Sequence, residues 1–417
     1  MSSIFEIREH TIECQHIRQY ARATATSQEE VLHLAVKQYI PLDNQNPKEG
    51  DITIIGACAN GFPKELYEPL WEDLYARSKS NGFRIRGIWI ADTAMQAASG
   101  ILNEQLLGND PAWTDHVRDL LHMTNVFRSQ MPMPIVGIGH SYGANILCNL
   151  ALIHPRLLST LVLLDPVVQQ HASAPSGPSP AQASTYRRDF WPSRAEAEAS
   201  FRKSKFYQTW DPRVLDRWCK YGIRETPTPL YPYEKGVTLS TTKYQECFTF
   251  LRPSWDAMSE DGKTIVKREL VPDMAPNSLV KFPFYRPEPP TTLERIGELR
   301  PSVLYVFGSL SDMSSPDSCK YKVNTTGTGT GGSGGAKDGK VEGVMLEGIG
   351  HLVAMEASEK CADAAAAWLG KEVKKLDKER QEYIEWTKQS FEAKTTFSEE
   401  WKRRIGPPLK PIPKSKI

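Results

Sequence analysis

The segment from Gly139 to Gly143, which reads Gly-His-Ser-Tyr-Gly, constrains the fold of this 417-residue chain more than any other. The apolar stretch from Pro134 to Ile138 precedes it and is typical of a short buried strand. The stretch from Ala144 to Leu152 follows it with helical spacing. A serine between two glycines at a strand-to-helix turn indicates a nucleophile elbow, where a strained backbone presents the hydroxyl. We therefore predict that Ser141 is a catalytic nucleophile.

Strand-like and helix-like segments alternate through residues 1–168, a pattern that predicts the first part of an α/β core. Residues 169–298 are rich in Pro, Trp, Tyr, Phe and charge, and carry no strong strand pattern. Strand patterns resume in residues 299–390, which also contain a Gly-rich loop (324–340) predicted to be flexible, and a tail covers residues 391–417. Together with the elbow, this order predicts the α/β-hydrolase fold. Its central sheet is mostly parallel, and a largely helical cap is inserted after the sixth strand.

Charge balance indicates which partners are not favoured, and cysteine spacing indicates which disulfide or metal sites are not expected. The chain has 51 basic and 50 acidic side chains, a balance that favours neither nucleic acid nor an anionic membrane as partner. Its 7 cysteines are scattered without Cys-x-x-Cys spacing, so neither a disulfide framework nor a zinc site is expected. No apolar run is long enough to span a bilayer, and the N-terminus lacks the pattern of a secretory signal.

Gly327, Gly329 and Gly332 form a Gly-x-Gly-x-x-Gly match inside the Gly-rich loop. No strand immediately precedes this match and no helix opens from it, so a dinucleotide site is not expected. The spacing from Gly334 to Lys340 imitates a phosphate-binding loop, but Val341 stands where Ser or Thr would be required. We predict a surface loop and no cofactor.

A serine hydroxyl needs a base within hydrogen-bond reach, and in this fold the chain order is serine, acid, histidine. His351 lies directly after the last predicted strand and before the closing helix, so we predict that it is the base. Two aspartates satisfy the order for the acid. Asp312 follows the penultimate strand, the usual place for the acid, and is preferred. Asp165 ends the strand after the elbow helix and is the alternative.

Acyl transfer also requires hydrogen-bond donors for the developing oxyanion. The backbone N–H of Tyr142, next to the nucleophile, is the first predicted donor. The second is expected from the loop after the third strand, where Gly61 allows close backbone approach. There the N–H of Gly61 or of Phe62 would face the oxyanion.

The tripeptide Ser415-Lys416-Ile417 is a near variant of the Ser-Lys-Leu peroxisomal targeting signal. It predicts recognition by the peroxisomal import receptor and a peroxisomal location. The cytoplasm is the alternative location.

The elbow, this tripeptide and several other segments together carry a family resemblance. The other segments are Asn60–Trp71, Leu107–Trp113, Leu163–Val168, Trp210–Trp218, the Gly-rich loop and Gly350–Val353. On these segments the chain resembles the fungal peroxisomal α/β-hydrolases. That group includes hydrolases encoded with host-selective toxin pathways and, more distantly, the yeast peroxisomal lipase. The resemblance implies a capped α/β-hydrolase, a Ser141–acid–His351 triad and a peroxisomal location.

These features predict a serine hydrolase that cleaves an acyl ester or thioester of a small, lipid-like or secondary-metabolite substrate without metal or cofactor. The aromatic composition of the cap favours a bulky apolar acyl group. Two alternatives remain open. One is an acyltransferase or C–C bond hydrolase that uses the same triad. The other is a non-catalytic binding or scaffold protein, because a fold alone does not establish chemistry.

Overall fold

A computed structural model describes residues 4–170, 180–274 and 283–407 of the chain. Its strands and helices alternate in the order that the sequence predicts for an α/β core. The strands are β1 (Phe5–Glu13), β2 (His33–Pro41), β3 (Ile52–Ala57), β4 (Ile85–Ala91), β5 (Ile135–His140), β6 (Thr160–Leu164), β7 (Phe190–Trp191), β8 (Ile223–Glu225), β9 (Val237–Leu239), β10 (Arg252–Pro253), β11 (Phe284–Tyr285), β12 (Ser302–Gly308) and β13 (Val341–Leu346).

The helices lie between these strands and, at the C-terminal side, beyond them. They are α1 (Glu68–Ser78), α2 (Ala97–Leu102), α3 (Trp113–Val126), α4 (Tyr142–Ile153), α5 (Pro180–Tyr186), α6 (Arg194–Lys203), α7 (Pro212–Tyr221), α8 (Lys243–Phe250), α9 (Glu288–Arg295), α10 (Pro316–Thr325), α11 (Val353–Glu356), α12 (Ser358–Thr387), α13 (Phe391–Thr395) and α14 (Glu399–Ile405). No helix in the described part of the chain is long and apolar enough to cross a membrane.

Eight strands form the central sheet in the order β1-β2-β4-β3-β5-β6-β12-β13. Pairing is antiparallel between β1 and β2 and between β2 and β4, and it is parallel from β4 to β13. Strands β3, β5, β6 and β12 are buried along their whole length, as expected for parallel strands covered by helices on both faces. Because β5, β6, β12 and β13 run in the same direction, the segments that follow them meet at one edge of the sheet. The predicted α/β-hydrolase fold is confirmed.

In the described residues, the insertion after β6 contains the five helices α5 to α9. It also contains short strands, which form a three-stranded sheet in the order β7-β9-β8 and a two-stranded sheet of β10 and β11. Strands of two or three residues are too short to show an alternating pattern, which is why the sequence did not reveal them. Among the described residues, those up to Glu372 form one compact unit that includes this insertion, and those from Val373 onward form a second.

The Gly-rich loop lies between α10 and β13 and is held by backbone hydrogen bonds. The Gly329 N–H donates to the Gly297 carbonyl at 2.7 Å, and the Ser333 N–H donates to the Leu299 carbonyl at 3.1 Å. A Cβ atom at Gly332 would lie 2.4 Å from the Gly297 carbonyl oxygen. The glycines therefore serve close backbone packing in addition to the flexibility that the composition suggests.

Within the second unit, the end of α12 is followed by the short helices α13 and α14. Two aromatic pairs stack there, Tyr383 with Trp386 and Phe397 with Trp401. The predicted targeting residues Ser415, Lys416 and Ile417 lie outside the described residues.

Candidate active site

Ser141 lies at the turn between β5 and α4, and its backbone has φ 55° and ψ −114°. A non-glycine residue with this positive φ costs about 1–3 kcal/mol, which the surrounding structure must offset. The flanking glycines make the turn possible. A Cβ atom at Gly143 would lie 2.2 Å from the Ala57 carbonyl oxygen, and one at Gly139 would lie 2.7 Å from the Gly143 carbonyl oxygen. The geometry is that of a nucleophile elbow.

His351 connects Ser141 to Asp165. Its Nε2 is 2.8 Å from the Ser141 hydroxyl oxygen, and its Nδ1 is 2.6 Å from Asp165 Oδ2. Because a carboxylate can only accept, Nδ1 carries the hydrogen and Nε2 is free to accept the serine proton. The imidazole is one-quarter exposed (26%), whereas the Asp165 side chain is fully buried. The structure thus brings together the predicted serine, the predicted histidine and one of the two candidate acids.

The carboxylate of Asp165 is held by the segment that follows β12. It accepts hydrogen bonds from the Gly308 N–H at 3.1 Å, from the Ser311 hydroxyl at 2.5 Å and from the Ser314 hydroxyl. Burial opposes ionisation, but His351 and the two serine hydroxyls outweigh it and hold the pKa of Asp165 below its ordinary value. Asp165 is therefore a buried, ionised carboxylate aimed at the imidazole.

Asp312, the preferred acid in the sequence analysis, does not occupy this position. It lies in the same turn as Ser311 and Ser314, but its side chain is exposed. The turn directs its two serines inward to Asp165 and the intervening aspartate outward. The preference for Asp312 is corrected on this geometry in favour of the alternative, Asp165.

Lys322 on α10 lies behind the acid and has no exposed surface. Its ammonium group is 3.3 Å from the Met313 carbonyl oxygen and 3.5 Å from the Pro166 carbonyl oxygen. Burial lowers its pKa, although the charge of Asp165 opposes that effect. Lys322 thereby links the turn after β6 to the turn after β12.

The predicted oxyanion loop follows β3, and its two candidate donors differ. The Gly61 N–H already donates to Gln96 Oε1 at 2.8 Å. The Phe62 N–H makes only a long turn contact of 3.4 Å with the Ala59 carbonyl oxygen. On the other side, Tyr142 is the first residue of α4, where N–H groups lack helical partners. Of the predicted donors, Tyr142 and Phe62 are the pair that remains suited to an oxyanion.

Gln96 fixes this loop and was not identified from the sequence. Its amide nitrogen donates to Asn60 Oδ1 at 2.6 Å and to the Thr249 hydroxyl at 3.1 Å, while its oxygen accepts from Gly61. The Asn60 amide in turn donates to the Glu246 carbonyl at 3.1 Å. Because Glu246 and Thr249 lie on α8, these bonds tie the loop to the insertion.

Aromatic side chains of the insertion also contact the loop. The Phe62 ring packs edge-on against Trp210 and Trp218, with centroid distances of 5.6 and 5.9 Å. Trp210 and Trp218 are buried and also pack against Tyr207. These rings are engaged in packing, so their abundance alone does not specify the acyl group. In the described residues, no group of three or more His, Cys, Asp or Glu side chains is placed to hold a metal ion.

No protein-family model matches the chain. It is 42% identical over 409 residues to the type I acyl-CoA thioesterase mpaH of Penicillium roqueforti, a match that covers 92% of this chain and 91% of that protein. It is 29% identical to the abhydrolase domain-containing protein ACTT2-1 of Alternaria alternata, over 58% of this chain and 85% of that protein. The peroxisomal α/β-hydrolase Lpx1 of Saccharomyces cerevisiae has the same fold, with a TM-score of 0.68 and 15% identity over 95% of this chain and all of that one.

Proposed function

This chain belongs to the family of fungal α/β-hydrolases that includes the type I acyl-CoA thioesterases, and we propose that it hydrolyses an acyl-CoA thioester with Ser141 as nucleophile. As a member of this family, it is a hydrolase of thioester or ester bonds. The observation that carries this proposal is the continuous contact from Ser141 through His351 to Asp165. A hydroxyl, an imidazole and a buried carboxylate in this order are the groups that nucleophilic acyl transfer requires.

In the first half-reaction, Ser141 Oγ attacks the carbonyl carbon of the thioester while its proton passes to His351 Nε2. Asp165 holds the imidazole through Nδ1 and stabilises the imidazolium. The carbonyl oxygen becomes an oxyanion, which the N–H groups of Tyr142 and Phe62 bind. Removal of one such donor typically costs about 10²–10³-fold in kcat.

The intermediate collapses when the C–S bond breaks, and the departing thiolate takes the proton from the His351 imidazolium. The acyl group is then esterified to Ser141. In the second half-reaction, His351 Nε2 removes a proton from water, the resulting hydroxide attacks the acyl carbon, and the proton returns to Ser141 as the free acid leaves. No other reactant is needed, because water supplies both the oxygen and the hydrogen of the products.

The test compares acyl-CoA thioesters of increasing chain length with oxyesters of the same acyl groups, using the intact protein and its S141A variant. Release of free thiol reports thioester cleavage, and product analysis identifies the acid. We expect serine-dependent release of acid and CoA in equal amounts, with thioesters preferred. Retained hydrolysis in S141A contradicts the proposal. Appearance of the acyl group on an added acceptor instead of water favours the acyltransferase alternative.

For location, we propose that Ser415-Lys416-Ile417 directs import into peroxisomes. The tripeptide motif supports this proposal. A fluorescent reporter that ends in this tripeptide should form puncta that coincide with a peroxisomal marker in fungal cells. A matched reporter that ends in Ser-Glu-Ile should remain diffuse. Equal distribution of the two reporters contradicts the proposal.

A further inference from the structure

We propose that Tyr67 and His140 are positioning residues, which hold the oxyanion loop and the His351 loop in fixed relation through one directed chain of hydrogen bonds. This inference rests on the proposed function, because it assigns a role in the reaction of Ser141 and His351. Neither residue contacts the reacting atoms in that mechanism. Each acts through the backbone of a loop that does.

The chain of bonds begins in the oxyanion loop. The Ala59 N–H donates to the Tyr67 hydroxyl oxygen at 2.7 Å. That oxygen is 3.0 Å from His140 Nδ1, and His140 Nε2 is 3.1 Å from the His351 carbonyl oxygen. Tyr67 and His140 are both buried, so water does not compete for these contacts. The segments that follow β3 and β13 are thus joined through His140, the last residue of β5.

The hydrogen positions in this chain follow from its two ends. The Ala59 N–H can only donate and the His351 carbonyl can only accept. The Tyr67 hydroxyl therefore uses its oxygen for Ala59 and gives its hydrogen to His140 Nδ1. His140 must then carry its hydrogen on Nε2, which makes it a neutral imidazole. Burial, together with the charge of His351, lowers the pKa of His140 to about 4, which agrees with this neutral form.

These hydrogen bonds connect the oxyanion loop with the loop that carries His351, and the proposed reaction requires both loops to be in position. Ala59 lies three residues before Phe62, whose N–H is the proposed second oxyanion donor. At the other end, the backbone of His351 is bound by His140 while its side chain is bound by Asp165, so the imidazole is held from two directions. A shift of either loop would leave a buried polar atom unpaired, at a cost of about 1–3 kcal/mol.

The Y67F variant tests this chain because it keeps the ring and removes only the hydroxyl. The matched control is Y305F. Tyr305 is also buried, and its hydroxyl contacts Thr326 at 2.7 Å, away from the segments joined by Tyr67 and His140. We expect Y67F to lower kcat and the rate of labelling by a fluorophosphonate about 10- to 100-fold, since small displacements at the reacting centre have effects of this size. KM and the activity of Y305F should change by no more than about two-fold.

Two His140 variants give a second test if Y67F does not fold. H140N keeps an acceptor near Tyr67 but does not reach the His351 carbonyl, whereas H140Q keeps a donor near that carbonyl but loses the Tyr67 contact. Each should lower kcat. The Y67F/H140Q double variant should lose little more than either single variant, because both substitutions break the same link.

The outcomes separate this inference from the proposed function. If the wild type hydrolyses substrate in a Ser141-dependent manner and Y67F or H140N keeps kcat within about two-fold, the positioning role is wrong and the proposed function stands. Equal losses in Y67F and Y305F also overturn the positioning role, because they indicate a general effect of losing a buried hydroxyl. If S141A remains active, the proposed function itself fails.

Discussion

Asp165 Oδ2 lies 2.6 Å from His351 Nδ1, on the side of the imidazole opposite Ser141. The buried carboxylate of Asp165 accepts hydrogen bonds from four groups, which are the imidazole, the Gly308 N–H and the hydroxyls of Ser311 and Ser314. An aspartate bound in this way fixes the tautomer of the histidine and stabilises its cation during acyl transfer.

The first prediction concerns the two candidate acids. D165N should lower kcat by about 10⁴-fold, because an amide at this position favours the wrong imidazole tautomer. D312N should retain activity within about two-fold, since Asp312 is exposed and the imidazole is bound by Asp165. Steady-state kinetics on one thioester measures both variants. A larger loss in D312N than in D165N would exclude Asp165 as the acid.

Gln96 is expected to be required for the oxyanion loop. Q96A removes the acceptor of the Gly61 N–H and the donor to Asn60, so kcat should fall about 10- to 100-fold while folding is retained. The matched control is Q245A, which loses a bond from the Gln245 amide to the Gly108 carbonyl. Kinetic measurement of the two variants decides this prediction, and comparable activities would contradict it.

Gly143 should tolerate no side chain. A Cβ atom there would lie 2.2 Å from the Ala57 carbonyl oxygen and 2.6 Å from the Cys58 carbonyl oxygen, so G143A should lose about 3 kcal/mol or more of unfolding free energy. Gly82 is the control. It has φ +80° but nothing within 4 Å of its Cβ position, so G82A should lose about 1–2 kcal/mol from backbone strain alone. Urea denaturation measures the stability of G143A and G82A. Equal denaturation midpoints for the two variants would contradict the steric explanation.

Buried histidines should make the protein sensitive to acid. Burial lowers the pKa of His116 to about 4, and neither of its ring nitrogens has a hydrogen-bond partner among the described residues. In the unfolded chain this pKa is about 6.5. Between these values the unfolded state binds the extra proton. The free energy of unfolding should therefore fall as the pH decreases, by about 1.4 kcal/mol per pH unit for this histidine.

H116L should reduce the slope of the unfolding free energy against pH by the contribution of one proton. Urea denaturation between pH 7 and pH 4 measures this slope. H16L is the control, because His16 is largely exposed (75%). An unchanged slope in H116L, or the same change in H16L, would show that His116 does not bind the proton on unfolding.

The sequence predicted those parts of the site that depend on local pattern. Ser141 is predicted as the nucleophile because its flanking strand, glycines and helix are adjacent in the chain, and His351 is predicted as the base because it follows the last strand. The start of α10 also carries a local signal in the sequence. Ser315 caps it and Pro316 is its first residue, a combination typical of a helix start.

The choice between Asp165 and Asp312 could not be made from local pattern. Both follow parallel strands that end at the same edge of the sheet, so both were positioned for the role. The decision depends on the turn after β12, which directs Ser311 and Ser314 towards Asp165. Likewise, Gly61 is removed as an oxyanion donor by Gln96, which lies 35 residues away in the chain.

Covalent labelling of Ser141 is the decisive experiment, because every step of the proposed reaction depends on its hydroxyl. Wild-type protein and its S141A variant are treated with a fluorophosphonate, digested and analysed by mass spectrometry, while thioester hydrolysis is measured in parallel. We expect one adduct on the peptide that contains Ser141, loss of hydrolysis in proportion to labelling, and neither adduct nor hydrolysis in S141A. An S141A variant that still hydrolyses the thioester, or a fully active wild type without an adduct on that peptide, would contradict the proposed reaction.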